Sequence, residues 1–210
     1  MNGRLTIRLA GLLGCLALLG TSLPAAAVEL TPLVGVRFGG SFNNDCYCYQ
    51  NQPSLTLDSS ASYGAELDIP FARGPYALEL YFSHQNTTLE GGQYLQPQIH
   101  DMDVNVIHVG VSAAMPTNDK NFSWLIIASG GATVFDANSY SQTYPSLGLG
   151  VGMRWMANEH IGLRADLRGI FTFLGNGNSV IVCNGGCGGY YSSGTTIVQG
   201  EASLGLVVRF

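Results

Sequence analysis

The sequence predicts an all-β chain closed into a barrel of eight antiparallel, up-and-down strands that crosses a lipid bilayer. Three observations carry this reading. The chain ends on TTIVQGEASLGLVVRF, in which Phe210, Val208, Leu206, Leu204, Ala202, Gly200 and Val198 share one face and Arg209, Val207, Gly205, Ser203, Glu201 and Gln199 the other. That two-residue period is a strand. So apolar a strand at a terminus is an adhesive edge unless the first strand pairs with it, and closure in lipid supplies that pairing. Alternating runs rich in Gly, Tyr, Val and Leu recur upstream, and no segment after the N-terminal leader approaches a membrane-spanning helix. Charge is also scarce, at 11% of residues with Lys120 the one lysine. A water-facing exterior wants about a quarter to a third charged residues.

Residues 1–27 read as a secretory signal peptide, with Arg4 and Arg8 before an apolar run from Leu9 to Leu19 and Ala25-Ala26-Ala27 as the cleavage site. A retained helix would want about 20 apolar residues, and this run is shorter and broken by Gly11, Gly14 and Gly20. Leu12-Leu13-Gly14-Cys15 resembles a lipoprotein box, but its apolar run would then fall below the roughly 7–15 residues of a signal peptide. Cleavage leaves a single domain, residues 28–210, with seven basic and fourteen acidic residues. That acidic balance argues against a nucleic-acid partner.

Strand one, Leu30 to Phe42, turns Leu30, Pro32, Val34, Val36, Phe38 and Phe42 to lipid and Thr31, Gly35, Arg37, Gly39 and Ser41 inward. A polar loop, Asn43 to Ser60, carries Cys46 and Cys48. Strand two, Ser62 to Pro70, sets Glu66 and Asp68 inward. After the short Phe71–Pro75 connection, strand three opposes Tyr76, Leu78, Leu80 and Phe82 to Glu79, Tyr81 and Ser83. A second long loop covers Gln85 to His100. Strand four starts with Met102, Val104 and Val106 outward, then continues its apolar face on Ile107, Val109 and Val111, a one-residue slip that predicts a β-bulge near Val106-Ile107. Met115 to Asn121 turns the chain into strand five, Phe122 to Phe135, which is apolar on both faces at Leu125, Ile126 and Ile127.

A third long loop is expected over Asp136 to Pro145. Strand six, Ser146 to Trp155, places Leu147, Leu149, Val151, Met153 and Trp155 outward and leaves Gly148, Gly150 and Gly152 on the inner face. Strand seven starts at Ile161 and sends Arg164, Asp166 and Arg168 inward. The fourth loop, Leu174 to Gly194, contains Cys183 and Cys187 before the closing strand. Long connections therefore alternate with tight ones, as when all long loops leave one mouth. Aromatics near strand ends (Phe42, Tyr63, Tyr76, Phe82, Phe122, Trp155, Phe171, Phe210) suit two interfacial girdles. A lipocalin-like barrel with inverted polarity is the soluble rival, and the scarcity of charge counts against it.

An eight-stranded barrel has an interior just wide enough for side chains to fill, and an unpaired charge there costs several kcal/mol. The inward Arg37, Arg154, Arg164 and Arg168 are therefore expected to pair with Glu66, Asp68, Glu79, Asp166 and Glu201 in a lumen ion network. Glu66 and Glu201 are the partners within reach of Arg37, and Arg168 is a second neighbour for Glu201. Gating of a narrow water path is the sharper use of such pairs. Ser83-His84 invites comparison with a nucleophile and its base, but adjacent strand residues point to opposite faces. The four cysteines of an exported chain suggest disulfides. Cys183–Cys187 closes a short ring easily, Cys46–Cys48 would be strained, and cross-loop pairing is a rival. A soft metal site on the four thiols is disfavoured in an oxidising compartment. No cofactor and no metal are expected.

The stretches PLVGVRFGGSF, YALELYFSHQNTTL, GLGVGMRW with HIGLRADLRGIFT, and QGEASLGLVVRF together resemble the small outer-membrane β-barrel proteins of Gram-negative bacteria, the OmpA-like, porin-type eight-stranded group. The resemblance runs over essentially the whole chain after residue 27. It implies an integral outer-membrane protein with both termini in the periplasm and long loops at the cell surface, in contact with lipid and lipopolysaccharide. It also implies transient engagement of periplasmic chaperones and the barrel-insertion machinery, with Gly205, Leu206, Val208 and Phe210 as the C-terminal insertion signal. No cell-wall-binding domain follows the barrel, so anchoring there is not expected, and the charged lumen departs from the apolar interior of an OmpW-type channel. The expected role is non-enzymatic, structural or surface-interacting, with a narrow solute channel as the alternative and a lipid A-modifying enzyme as the third class.

Overall fold

A computed structural model describes residues 28–42, 55–71, 74–90, 100–137, 140–175, 179–181, 190–192 and 196–210. Residues 1–27 and all four loop cysteines, Cys46, Cys48, Cys183 and Cys187, lie outside the described residues.

The strands are β1 (Glu29–Gly39), β2 (Ser41–Phe42), β3 (Leu55–Leu57), β4 (Ser60–Pro70), β5 (Tyr76–Glu90), β6 (His100–Pro116), β7 (Phe122–Ala137), β8 (Tyr140–Met156), β9 (Ile161–Phe173), β10 (Ser179–Ile181), β11 (Tyr190–Ser192) and β12 (Thr196–Arg209). Eight of them, β1, β4 to β9 and β12, form the wall of one closed antiparallel barrel. Each pairs with its sequence neighbour, and β12 also pairs with β1, from Glu29 opposite Arg209 to Gly39 opposite Gln199. β2 and β3 extend β1 and β4 past a kink at Gly39 and Gly40, whose φ angles of 79° and 99° suit glycine. β10 and β11 form a separate hairpin.

The start of β1, the end of β12 and the tight connections β4–β5, β6–β7 and β8–β9 share one end of the barrel, called here the terminal end. There the Phe210 N–H donates to the Val28 carbonyl at 3.0 Å and the Arg209 N–H to His160 at 2.8 Å, tying the seam and the last turn together. The outward face is an apolar belt in which Val34, Leu149, Leu163, Leu204 and their neighbours are exposed, as an acyl-chain solvent requires.

Three expectations are corrected. β6 has no bulge: its register runs unbroken from Tyr76 opposite Ala113 to Leu89 opposite His100, and on its other side from Asp103 opposite Asp136 to Pro116 opposite Ser123. Met102, Val104 and Val106 therefore face the interior, where they are fully buried, and Asp103 and Asn105 face outward. The slip in the sequence marks where the outward face of β6 changes from the apolar Ile107, Val109 and Val111 to the polar Asp101, Asp103 and Asn105, while its inner face turns apolar at Met102, Val104 and Val106. The third long loop is also absent, because β7 continues to Ala137 and β8 begins at Tyr140, extending the hairpin with Ala137 opposite Tyr140. The second loop likewise contracts to residues 91–99.

The inward phase of β6 has a measurable consequence. Val104→Asp buries an unpaired carboxylate and lowers stability by about 3 kcal/mol or more, whereas Asp103→Val, on the wet face, changes it by less than about 1 kcal/mol. Urea-unfolding midpoints of the refolded barrel check this; a bulged strand would reverse the order.

Candidate functional site

The interior is filled in layers. At the terminal end Glu29, buried at the start of β1, accepts from Arg154 of β8, at 2.7 and 2.9 Å to its two oxygens, and from Arg209 of β12 at 2.6 Å. The second layer is built on β9, whose two-residue period carries Arg164, Asp166 and Arg168 inward together. Arg164 holds Asp166 through Nε at 2.8 Å, Asp68 through Nη1 at 2.6 Å, and also Glu66. Arg168 reaches Glu79 at 2.6 Å and Glu66 at 2.9 Å, and its guanidinium lies 4.0 Å from the Tyr81 ring centroid. Asp68 and Glu79 are directly opposed across β4 and β5, a like-charge pair that survives because Arg164 and Arg168 lie against it.

The third layer closes the seam. Arg37 and Glu201 are cross-strand partners, and their side chains meet at 2.6 Å with both residues buried. Arg37 also donates to Ser83 Oγ at 2.6 Å, and the Ser83 hydroxyl donates to Glu201, 3.0 Å away. Tyr81 donates to Glu201 at 2.6 Å while Arg168 stacks on its ring, so it joins the second layer to the third. In these two layers five buried carboxylates thus face three buried guanidiniums, Arg37, Arg164 and Arg168. The hydroxyls of Tyr81, Ser83 and Ser112 supply further donors, the last at 2.8 Å from Asp68.

Above these, His108 contacts Ser146 at 2.8 Å and Ser129 at 3.1 Å, and Thr133 and Thr172 extend the chain of hydroxyls. The far end of the interior is apolar: Leu57, Met102, Val104, Phe135, Tyr144, Leu174 and Ile197 pack into one cluster. The bare inner face of β8 is the complement of this filling. A Cβ on Gly152 would strike Asp166 Oδ1, one on Gly148 would lie 2.5 Å from Ser129 Oγ, and one on Gly150 would lie 3.4 Å from Arg168 Cγ. The glycines make room for the ion network and for His108.

Each charged residue expected in the lumen ion network is in the lumen, with partners redistributed; Asp103 and Asn105, expected inward on β6, face outward instead. Arg37 takes Glu201, while Glu66 belongs to Arg164 and Arg168, and Arg168 takes Glu79 and Glu66 instead of Glu201. The carboxylates of Glu66, Asp68 and Glu79 have oxygens within 4.8 Å of one another, as a metal ion would need, but those groups accept from Arg164, Arg168 and Ser112. Ser83 and His84 do point to opposite faces: His84 stacks on Tyr63 outside, at 4.9 Å between ring centroids. In the closing strand, Leu206 and Phe210 are exposed, whereas Gly205 packs against Thr31 and Leu33 in the lumen. Sequence reasoning missed Glu29, the parts that Tyr81 and His108 play in the lumen network, and the apolar layer. The inward phase of Tyr81 beside Glu79 was available as a signal; the cross-barrel reach of Arg154 to Glu29 was not.

Comparison with known proteins places this geometry. The family model described as "Outer membrane protein beta-barrel domain" matches residues 13–210. The chain belongs to that family. Membership places it in the bacterial outer membrane. Among solved structures it is similar to Neisserial surface protein A, with a TM-score of 0.57 and 13% identity over 88% of this chain and 97% of that one. It is also similar to the outer membrane protein AlkL determined in lipid bilayers, with a TM-score of 0.53 and 11% identity over 90% and 93%. The N-terminal barrel of Pseudomonas aeruginosa OprF aligns with a TM-score of 0.48 and 13% identity over 88% and 98%. At these identities the likeness is one of fold. No curated protein sequence matches the chain.

Removing one side of a buried pair leaves the other charge uncompensated. Glu201→Ala strands Arg37 and lowers stability by about 3–5 kcal/mol, whereas Ser83→Ala, which leaves the ion pair, costs about 1–2 kcal/mol. Denaturant midpoints of the two variants in the same detergent check the order.

Proposed function

We propose that this barrel is a non-enzymatic outer-membrane protein that acts through the surface at its far end, with a lumen that is a structural plug. Its termini face the periplasm and its long connections face out, after cleavage of residues 1–27. Lipid and lipopolysaccharide surround the belt, and periplasmic chaperones and the insertion machinery handle the chain in transit. The loop cysteines form disulfides in that compartment. The observation that carries the plug is the stacking of ion pairs, hydroxyls and an apolar layer on one barrel axis, with Arg37, Glu66, Glu79 and Glu201 all buried. Charges so paired and capped by apolar side chains hold the wall together and leave little room for water.

A narrow solute channel is the second reading. Its support is Gln199, buried on the inner face of β12, whose amide nitrogen and oxygen have no protein hydrogen-bond partner. The enzyme reading has less support, because His84 and Ser83 are separated by the wall and His108 with Ser146 lies beneath the apolar cluster.

Planar-bilayer recording tests the plug. The wild-type barrel gives no resolved conductance, and a steady conductance in the native protein would establish the channel instead. Deleting Phe210 tests the insertion signal: the level of heat-modifiable barrel in outer membranes falls severalfold, and an unchanged level would remove Phe210 from that role.

A further inference from the structure

The far end of this molecule has a one-sided ionic character. After residue 27 the Lys and Arg residues are Arg37, Arg154, Arg164, Arg168 and Arg209 on wall strands, Lys120 in a terminal-end turn, and Arg73 in the sequence between β4 and β5. Residues 40–60, 84–105, 134–146 and 174–199 hold six carboxylates and neither Lys nor Arg.

The barrel wall is also uneven in height. β5 to β8 run 15 to 17 residues, against 11 to 14 for β1, β4, β9 and β12. The extra length rises past the last lipid-facing row, Phe82, Ile107, Ala132 and Pro145. Apart from Val134, the outward residues of that raised sheet are polar. Asp103 and Asp136 stand directly opposite each other across β6 and β7, and Asp101 lies two residues along from Asp103. Like charges so placed are destabilising in an isolated sheet; among the described residues no guanidinium or ammonium lies against them, and the one basic group in reach is the His84 imidazole, whose Nε2 is 3.8 Å from Asp103.

Side-chain amides position the carboxylates. Asn86 donates to Asp103 at 2.8 Å, and Asn105 lies 3.5 Å from Asp136 and 2.8 Å from the His84 ring nitrogen. At the border with the lipid belt, Tyr63 is 58% exposed with its ring beside His84, an aromatic placed to receive a cation.

We propose that the outward face of this raised β5–β8 sheet is a docking surface for a basic, extended polypeptide segment. The inference rests on the reading that the far end is the outward-facing one. Alternate residues of an extended chain are about 6–7 Å apart, the spacing of Asp101 and Asp103 along β6, so alternating Lys or Arg side chains meet successive carboxylates. A second copy of this acidic face and the phosphates of lipid headgroups are both repelled. A single metal ion would neutralise the Asp103–Asp136 pair but leave Asp101 and Tyr63 unused.

The test uses the full barrel in zwitterionic phosphatidylcholine nanodiscs and a fluorescent peptide of alternating Lys and Thr. The peptide binds barrel-loaded discs more tightly than empty ones, and the affinity falls as salt rises. The double variant Asp103→Asn, Asp136→Asn weakens it about three- to tenfold, the loss of two exposed ion pairs. Tyr63→Leu weakens it also, and both variants keep the heat-dependent gel shift of a folded barrel. Equal affinity for the double variant overturns the proposal, as does binding no tighter than to empty discs. Stoichiometric calcium binding that disappears in the double variant, with no peptide binding, overturns it in favour of a metal site. A conducting native barrel that still captures the peptide would remove the plug and leave the surface; a silent barrel without capture would do the reverse.

Discussion

Everything in this barrel depends on the meeting of Arg37 and Glu201 across the seam. A sheet becomes a barrel only when its first and last strands pair, and here the two residues that face each other in that pairing carry opposite charges in a dry interior. Each alone would be costly to bury, so the seam and the ion pair require one another. Any slip of β1 against β12 by one residue would turn Arg37 into lipid and leave Glu201 unpaired inside. The register is therefore fixed by electrostatics as well as by backbone hydrogen bonds. Tyr81 extends the constraint, because its hydroxyl is committed to Glu201 and its ring face to Arg168.

Much of this was legible in the chain because lipid imposes a strict rule on the outer face. Leu147, Leu149, Val151 and Met153 alternate with glycines, and Arg164, Asp166 and Arg168 alternate with leucine and alanine, so their directions followed from period alone. Where the wall leaves the lipid, the rule lapses. Met102, Val104 and Val106 have the same period as Ile107, Val109 and Val111 with the opposite phase, and a sequence cannot say which phase is interior once water wets the outside. A bulge was the reading that kept apolar residues in lipid. The tract Tyr140 to Pro145 failed for a related reason: polar on both faces, it reads as loop, although pairing with β7 makes it strand. The candidate site was legible as a set of inward charges but not as a set of pairs. Arg154 and Glu29 meet across the barrel, and such contacts depend on strand tilt that no local pattern records.

The glycines of β8 show how packing decides what the sequence leaves open. Read alone, Gly148, Gly150 and Gly152 describe an empty inner face and so a channel. Against Asp166, Ser129 and His108 they describe the reverse, because the Cβ positions of Gly148 and Gly152 are already taken by side chains from other strands and that of Gly150 is in contact with Arg168. Small residues on one wall and long charged residues on the facing wall are a single adaptation to an eight-stranded interior.

The same arithmetic explains the outer surface. A chain with so few basic residues spends them where a low dielectric makes an unpaired carboxylate most costly, which is the lumen. Glu66, Asp68, Glu79, Asp166 and Glu201 draw on Arg37, Arg164 and Arg168, and Glu29 draws on Arg154 and Arg209. Lys120 sits in a terminal-end turn and Arg73 in the chain between β4 and β5, so neither Lys nor Arg is left among the described residues of the raised sheet, where His84 is the basic group beside Asp103. Its carboxylates are tolerated because water screens them. Yet solvation alone asks for neither an opposed Asp103–Asp136 pair nor amides that hold those carboxylates in place. Screening makes the arrangement affordable, and a cationic partner is what would make it useful.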